Sequence, residues 1–510
     1  MNNTLEKHLL LELKETFTSS KIGFEKESLR ISNSSISQKS HPSKLGSALC
    51  NNYITTDFSE SQLELVTPPF EEKMMGISFL EDIHHFVFNS LDDEILWPLS
   101  MPPLISSDQD IKIANYGSSN LGLFKATYRK GLSARYGRMM QTISGLHYNY
   151  SLSESIWESR FFDNDDIGTN HTRSKKYFNM LRNIYRLNWI VIYLFGASPI
   201  VPKSFLAKSR EPFIELDNEY LYLPNATSLR MSSFGYQNKK RKLQISLNSI
   251  DEYISDLRTA TETASSEFQK IKNKENNQIN DSILQIDDEY YAIARAKSQS
   301  KYGLRTTSKL EKGGVDFIEL RSLDLDPFSR IGIDEKTVYF LEVFFIYCFI
   351  KEGHDIDSNE MKNIDFNDEI VATKGRSPQL KIINDSEKIK LRDWGNKILD
   401  DLLQIAEILD KENSNYTKAV SLAKYRMNNP NETLSAQVLD GVFNSNKSFL
   451  EFGMDLATRN KDYYSNRKQS DTYGKYFFET EAKRSLVEQK KLEINDTRSF
   501  KSFLNDYFRN

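Results

Sequence analysis

Four short segments of this chain alternate bulky apolar residues with charged or hydrogen-bonding ones, and this repeated design constrains the fold more than any other feature. In Gly23-Phe-Glu-Lys-Glu-Ser-Leu-Arg-Ile, Glu25 and Glu27 lie two residues apart and therefore share one face of a strand with Leu29 and Ile31. Gln62 and Glu64 share a face while Leu63 and Leu65 take the other. His147 pairs with Asn149 in the same way, and Glu319 with Arg321. Taken alone, a Glu-x-Glu strand is more often a solvated face. Four such strands predict a sheet with one face on helices and the other presenting Glu25, Glu27, Glu64, His147, Asn149, Glu319 and Arg321 to a shared cleft.

Between these segments, apolar residues recur at spacings of three and four over residues 79–97, 177–195, 337–351 and 394–409, which predicts helices. Further short strands are expected at 243–247 and 283–286. Unequal connections between strands argue for an α+β fold with a mainly antiparallel or mixed sheet rather than regular βαβ units. Residues 1–17 read as an amphipathic helix without the features of an export signal. The apolar run at 338–350 is interrupted by Glu342 and falls short of the roughly 20 residues of a membrane span, so it is expected to be a buried core helix. Polar stretches at 267–281 and 354–387 look like exposed insertions.

A cleft of carboxylates asks for cations. Oxygen donors, with only two cysteines in the chain, suit Mg²⁺ or Mn²⁺ rather than zinc or copper. Several carboxylates in one place repel unless more than one metal neutralises them, and several metals suggest a polyphosphate substrate. No Gly-rich P-loop or dinucleotide fingerprint is present. Arg129, Arg230, Arg295, Lys297 and Arg321 are candidates to clamp phosphate, although each taken singly is more often a surface charge or a structural ion pair. A net charge of -4 gives no basic footprint for nucleic acid or an anionic membrane. The run at 239–242 is short and reads as a solvated hairpin tip. Cys50 and Cys348 cannot make a disulfide framework, which fits a reducing cytoplasm.

Longer blocks carry a resemblance. Residues 23–30, 54–68, 97–102, 140–149, 193–199, 226–230 and 319–328 together resemble the proteobacterial type of glutamate-cysteine ligase, in one order along most of the chain. The resemblance implies a glutamine-synthetase-like fold, a curved and mainly antiparallel sheet forming a funnel with helices packed outside. It also implies that ATP phosphorylates the γ-carboxylate of L-glutamate and that the amine of L-cysteine attacks the acyl phosphate. By similarity, Glu25, Glu27, Asp57, Glu64, His147 and Glu319 are the expected metal ligands, distributed over about three Mg²⁺ ions. Arg321 and Arg230 are expected to neutralise the transferring phosphoryl group and substrate carboxylates. Tyr128, Arg129, Leu132, Gln141, Ile143, Asn149, Arg230 and Tyr236 fall where the amino-acid pocket is expected. Tyr291, Arg295 and Lys297 are expected to border the nucleotide, in a stretch that departs from the family's proline-containing pattern.

The chain is expected to form one catalytic domain over 1–510, with a sheet core at about 15–350 and a mainly helical periphery at 351–510, acting as a cytoplasmic monomer. It is expected to stop at the dipeptide, because no second nucleotide-binding segment is apparent. The rival expectations are a related ligase taking another amine, and a metal-loaded binding module without turnover.

Overall fold

The computed structural model describes residues 8, 10–158, 170–205, 212–235, 243–271, 277–300, 305–410, 413–468 and 473–509. Six strands make the central sheet: β1 (Lys21–Ser32), β2 (Ile54–Thr56), β3 (Gln62–Val66), β4 (Leu146–Ser151), β5 (Ala294–Lys297) and β6 (Phe317–Leu323). Their spatial order is β5-β6-β4-β1-β3-β2, and every neighbouring pair is antiparallel. Two-residue strands at Ser35–Ile36 and Ile95–Leu96 extend pairing at the end of β1. The helices that matter to the site are α1 (Lys73–Ser90), α2 (Asn120–Tyr136), α3 (Asn170–Phe195), α4 (Glu335–Ile350), α5 (Ser358–Lys374), α6 (Lys475–Asn495) and α7 (Phe500–Arg509).

Period-two alternation decides which face of the sheet is covered. Phe24, Leu63, Leu65, Tyr148, Tyr150, Ile318 and Leu320 enter one large apolar cluster with α3 and α4. The rings of Tyr148 and Tyr150 lie 5.6 and 4.7 Å from that of Phe345. On the opposite face of β1, Glu25 and Glu27 give way to Leu29 and Ile31, which join a second cluster containing Trp97 and Ile143. The polar stretch of the sheet is thus closed at one end by apolar packing. The result is an open, curved antiparallel sheet surrounded by helices.

The expected core helix is α4. Its first turn is capped by Asp334, which accepts from Thr337 N at 2.7 Å. Of its two carboxylates, Glu342 is the fully buried one, and it is met by Lys73 Nζ at 2.8 Å and by the hydroxyl of Tyr416 at 2.8 Å. Among the described residues, no helix is long and apolar enough to cross a membrane. Of the N-terminal helix, Leu10, Leu13 and Phe17 are described and are buried; residues 1–7 and 9 lie outside the described residues.

Several expected elements differ. The helix expected at 79–97 is α1, which stops at Ser90, because Asn89 Nδ2 and Ser90 Oγ donate to the carbonyls of His85 and Phe86 at 2.8 and 2.7 Å and compete with continued helix. Residues 243–247 and 283–286 are not strands. Their backbone donors go elsewhere: Ser246 N to Asp256 Oδ2 (2.7 Å), Gln285 N to Glu289 Oε2 (2.7 Å) and Leu284 N to the carbonyl of Ala260 (3.0 Å). Their alternation instead buries Ile245, Leu247 and Leu284 beneath irregular backbone. The stretch 354–387 is not an exposed insertion. It contains α5, which buries Ile364, Val371 and Ala372 along one side, and the start of a hairpin, Lys381–Asn384 with Glu387–Lys390. The hairpin turns through Asp385 and Ser386 at φ +46° and +70°, as a tight two-residue turn requires. In 267–281, residues 272–276 lie outside the described residues, while Phe268 is buried under the guanidinium of Arg135, 4.1 Å from its ring centre.

Candidate active site

Strand register brings the predicted carboxylates together. Glu25 stands opposite His147 on β4, Glu27 opposite Glu64 on β3, and Glu319 opposite both Asn149 on β4 and Arg295 on β5. Glu25, Glu64 and His147 present one ligand atom each within 4.8 Å of one another. His147 Nδ1 lies 3.4 Å from Glu25 Oε2 and 3.9 Å from Glu319 Oε1, and its Nε2 is 3.6 Å from Glu27 Oε1. Asn149 Nδ2 donates to Glu25 Oε1 at 2.8 Å, and Gly145 N donates to Glu27 Oε2 at 2.8 Å. Asp57 follows β2 and turns the chain toward β3, its N–H donating to the carbonyl of Gln62 at 3.0 Å.

The cluster has a negative end and a positive end. At the negative end, burial and then the charges of Glu25, Asp57 and Glu27 hold the Glu64 carboxyl well above its ordinary range. Burial and Asp57 push Glu27 up as well. At the other end, burial of Glu319 opposes ionisation, but Lys297, Arg321, His147 and Arg295 outweigh it and keep that carboxyl well below the usual range. Lys297 Nζ lies 3.6 Å and Arg321 Nη1 3.2 Å from Glu319. Burial disfavours the Glu25 carboxylate too, and the hydrogen bond with His147 reverses it, so the net shift is downward.

A cation set fits these donors on two observations. The donor set is hard oxygen with one imidazole. The buried Nε2 of His147 and Oδ1 of Asn149 make no hydrogen bond although both face this cluster.

Next to the positive end lies a cavity of about 520 Å³, walled by Arg230, Arg321, Tyr291, Ile245, Phe366 and other residues of the same elements. Arg230 is fully buried; its Nη2 donates to the carbonyl of Arg321 at 2.8 Å, and its Nη1 is 3.6 Å from Asp324 Oδ1. Asp324, which sequence reasoning missed, is held by Ala197 N (2.8 Å), Ser198 Oγ (2.6 Å) and Ser228 Oγ (2.9 Å). Gly145 was also missed. A Cβ there would stand 2.1 Å from Arg230 Nη2, so only glycine leaves room for that guanidinium.

The remaining predicted residues divide. Arg129, on α2, donates from Nε to the carbonyl of Asp57 and lies over the ring of Tyr116, 4.7 Å from its centre. Its neighbour Lys125 went unnoticed in the sequence; burial and Arg129 pull its amine down to about 8, against the opposing pull of Glu64. Gln141 accepts from the Tyr291 hydroxyl at 3.0 Å, which links the expected amino-acid pocket to the expected nucleotide stretch, and its buried Nε2 makes no hydrogen bond. Leu132 and Ile143 lie in the apolar cluster that closes the sheet, with Tyr128 packed against it. Arg295 shares a sheet face with Lys297, yet its Nη2 turns to the carbonyls of Asp288 (2.8 Å) and Tyr290. Tyr236 lies outside the described residues.

Known proteins resemble this arrangement over almost all of the chain. The family model described as glutamate-cysteine ligase matches residues 7–371. A glutamate–cysteine ligase of Alcanivorax borkumensis is 39% identical over 499 residues, covering 95% of each chain. One from Aliivibrio salmonicida is 39% identical over 497 residues with the same coverage. Among solved structures, a glutamate–cysteine ligase of Francisella tularensis in complex with AMP superposes with a TM-score of 0.90 at 34% identity, covering 96% of this chain and 98% of that one. A bifunctional glutathione synthetase from Pasteurella multocida gives a TM-score of 0.74 at 25% identity, and the match covers 94% of this chain and 58% of that one.

Proposed function

This chain belongs to the glutamate-cysteine ligase family, ATP-dependent ligases of glutathione biosynthesis, and on that premise we propose which of its residues carry each part of the reaction. The γ-carboxylate of L-glutamate is joined to the amine of L-cysteine at the expense of ATP, giving γ-glutamylcysteine, ADP and phosphate. A carboxylate has no leaving group; transfer of the terminal phosphoryl of ATP supplies one, and the cysteine amine then displaces phosphate.

Glu25, Glu27, Asp57, Glu64, His147 and Glu319 would hold the divalent cations, Mg²⁺ or Mn²⁺ and about three in number. Such ions neutralise polyphosphate charge and polarise the phosphoryl oxygens. The observation that carries the assignment is the convergence of Glu25, Glu64 and His147 within 4.8 Å, beside a Glu319 flanked by two cations of the chain's own. The cavity of about 520 Å³ receives the nucleotide, with Tyr291 and Arg321 on its wall, and its phosphates point toward Glu319, where Arg321 and Lys297 meet. Arg321 and Arg230 meet the charge that spreads over the phosphoryl oxygens as transfer proceeds. Arg230 arrives already positioned by the Arg321 carbonyl and Asp324, so little reorganisation is needed during reaction. Arg295 supports the Asp288–Tyr290 turn, and the direct role at the phosphates falls to Lys297. Glutamate and cysteine occupy the side lined by Tyr128, Arg129, Leu132, Gln141, Ile143 and Asn149, where Asn149 is tied to a metal carboxylate, Glu25. The enzyme works as a cytoplasmic monomer, a setting that suits its unpaired thiols at Cys50 and Cys348.

The test is ADP release by purified protein with Mg²⁺ and ATP, omitting each amino acid in turn. Release that needs both glutamate and cysteine is expected; turnover indifferent to cysteine would sink the assignment. Glu319→Gln should abolish turnover while the circular dichroism spectrum stays that of the parent.

A further inference from the structure

The C-terminal helices α6 and α7 pack where the expected amino-acid side of the site is built, and their contacts are specific. Along α6, Glu481 Oε1 accepts from Asn52 N (2.8 Å), Arg484 Nη2 donates to the carbonyl of Cys50 (2.7 Å), and Ser485 Oγ accepts from Ser47 N (3.0 Å). These fasten the segment that runs into β2 and Asp57. Further along, Glu493 Oε1 accepts from Ser118 N at 3.0 Å. Just beyond α6, Asp496 takes both the backbone N–H and the side-chain amide of Asn120, the first residue of α2. The carboxylate thus occupies the end of α2 where backbone donors lack intrahelical partners. From α7, Tyr507 and Phe503 reach Phe124, with ring centres 4.6 and 5.9 Å away.

Two glycines make the docking close. Gly46 has φ +87°, and a Cβ there would stand 2.7 Å from the Cα of Ala482. Gly117 has φ +83°, and a Cβ there would stand 2.1 Å from Glu493 Oε1. At Gly46 the backbone conformation and the approach of the Ala482 backbone each require glycine; at Gly117 the positive φ requires it, and the side-chain ends of Glu493 and Gln489 fill the space a Cβ would take.

We propose that the C-terminal arm is a positioning element for the amino-acid substrates, with Asp496 as its principal residue. Asp496 holds the start of α2, and the same helix carries Tyr128, Arg129 and Leu132 two to three turns later. Arg129 in turn donates to the Asp57 carbonyl, so the two segments held by the arm are joined at the cleft. The nucleotide cavity is walled by other elements, among them Tyr185, Tyr291, Met361 and Phe366. The arm therefore sets the placement of the amino acids and leaves nucleotide affinity alone. This inference rests on the proposal that α2 lines the amino-acid subsites.

Steady-state kinetics of the full-length chain test it. Asp496→Ala is expected to raise the KM of glutamate, cysteine or both about tenfold, since misplacement by a fraction of an ångström is felt at a reacting centre. The KM for ATP should stay within about twofold and Tm nearly constant, and Asp496→Asn should recover part of the loss because it keeps one acceptor for Asn120. Gly117→Ala, which pushes Glu493 off its seat, should give the same split if Asp496→Ala fails to fold. Unchanged KM values for both amino acids would overturn the proposal, as would KM values for all three substrates rising in step with a falling Tm. A parent protein without cysteine-dependent turnover would instead overturn the ligase assignment itself.

Discussion

Replacing Glu64 with Gln should stabilise the protein when no divalent cation is bound and remove much of the stabilisation that a cation brings. Glu25 and Glu64 offer oxygens within 4.8 Å of each other, and two charges at that separation repel by about 3.5 kcal/mol at an effective dielectric constant of about 20. Proton uptake caps this penalty. Holding protonated at pH 7 a carboxyl that ordinarily titrates at 4.5 costs about 3.4 kcal/mol, at about 1.36 kcal/mol per pH unit. Whichever is smaller sets the limit, so Gln should gain at most about 3 kcal/mol near neutral pH. Because burial and neighbouring carboxylates raise the folded-state pKa, the penalty grows as pH climbs above the unfolded value. The advantage of Gln should therefore shrink to below about 1 kcal/mol at pH 5. For 510 residues at about 2.1 cal/mol/K each, the unfolding entropy is about 1.1 kcal/mol/K and the expected rise in Tm at most about 3 °C. The assay is thermal unfolding in EDTA at both pH values, then with Mg²⁺. The parent should gain about 2.7 kcal/mol once Mg²⁺ reaches about 100-fold above its Kd, and the variant much less. A lower Tm for Glu64→Gln in EDTA, or an undiminished response to Mg²⁺, would refute the reasoning.

Gly145→Ala places a Cβ 2.1 Å from Arg230 Nη2 and should lower kcat/KM about a hundredfold with little change in Tm; normal kinetics would remove Arg230 from the site. Lys73→Met strands the buried Glu342 carboxylate and should cost about 3–5 kcal/mol in urea unfolding, most of it recovered in the double variant with Glu342→Leu. A single-variant loss below about 1 kcal/mol would mean that Lys73 is not what compensates Glu342. Burial, and then Asp334, raise Asp326 to about 6, so stability is withdrawn as pH climbs from the unfolded value of 3.8 through 6. Asp326→Asn should accordingly gain about 3 kcal/mol at pH 7.5 and only about 0.5 kcal/mol at pH 4. An equal gain at both pH values would refute it.

What could be read from the sequence, and what could not, follows from which interactions are local. Alternation along β1, β3, β4 and β6 was legible because a strand assigns each side chain to a face, and Glu25, Glu64, His147 and Glu319 needed only register to meet. The same alternation misled at 243–247 and 283–286, where apolar residues are buried without a ladder, since a face can be covered by loops as well as by a sheet. Arg295 and Lys297 show where local information ends. Both point to one face of β5, yet one guanidinium reaches back to the carbonyls of Asp288 and Tyr290 while the shorter-reaching amine stays near Glu319. A strand sets the face; the contacts available at the end of a long side chain set its role. Gly145 and Gly117 carry this further: nothing in its own segment demands Gly145, and Gly117, which its φ of +83° already requires, also faces the arm. Arg230 makes the first necessary and Glu493 fills the space beside the second, from far along the chain. The charge-rich C-terminal stretch reads only as peripheral helices for the same reason: the partners of Glu493 and Asp496 are backbone N–H groups at Ser118 and Asn120, which have no signature in composition. Residues that position a site through another element are therefore the ones a sequence conceals, and a close approach to a glycine in the folded chain is the sign that exposes them.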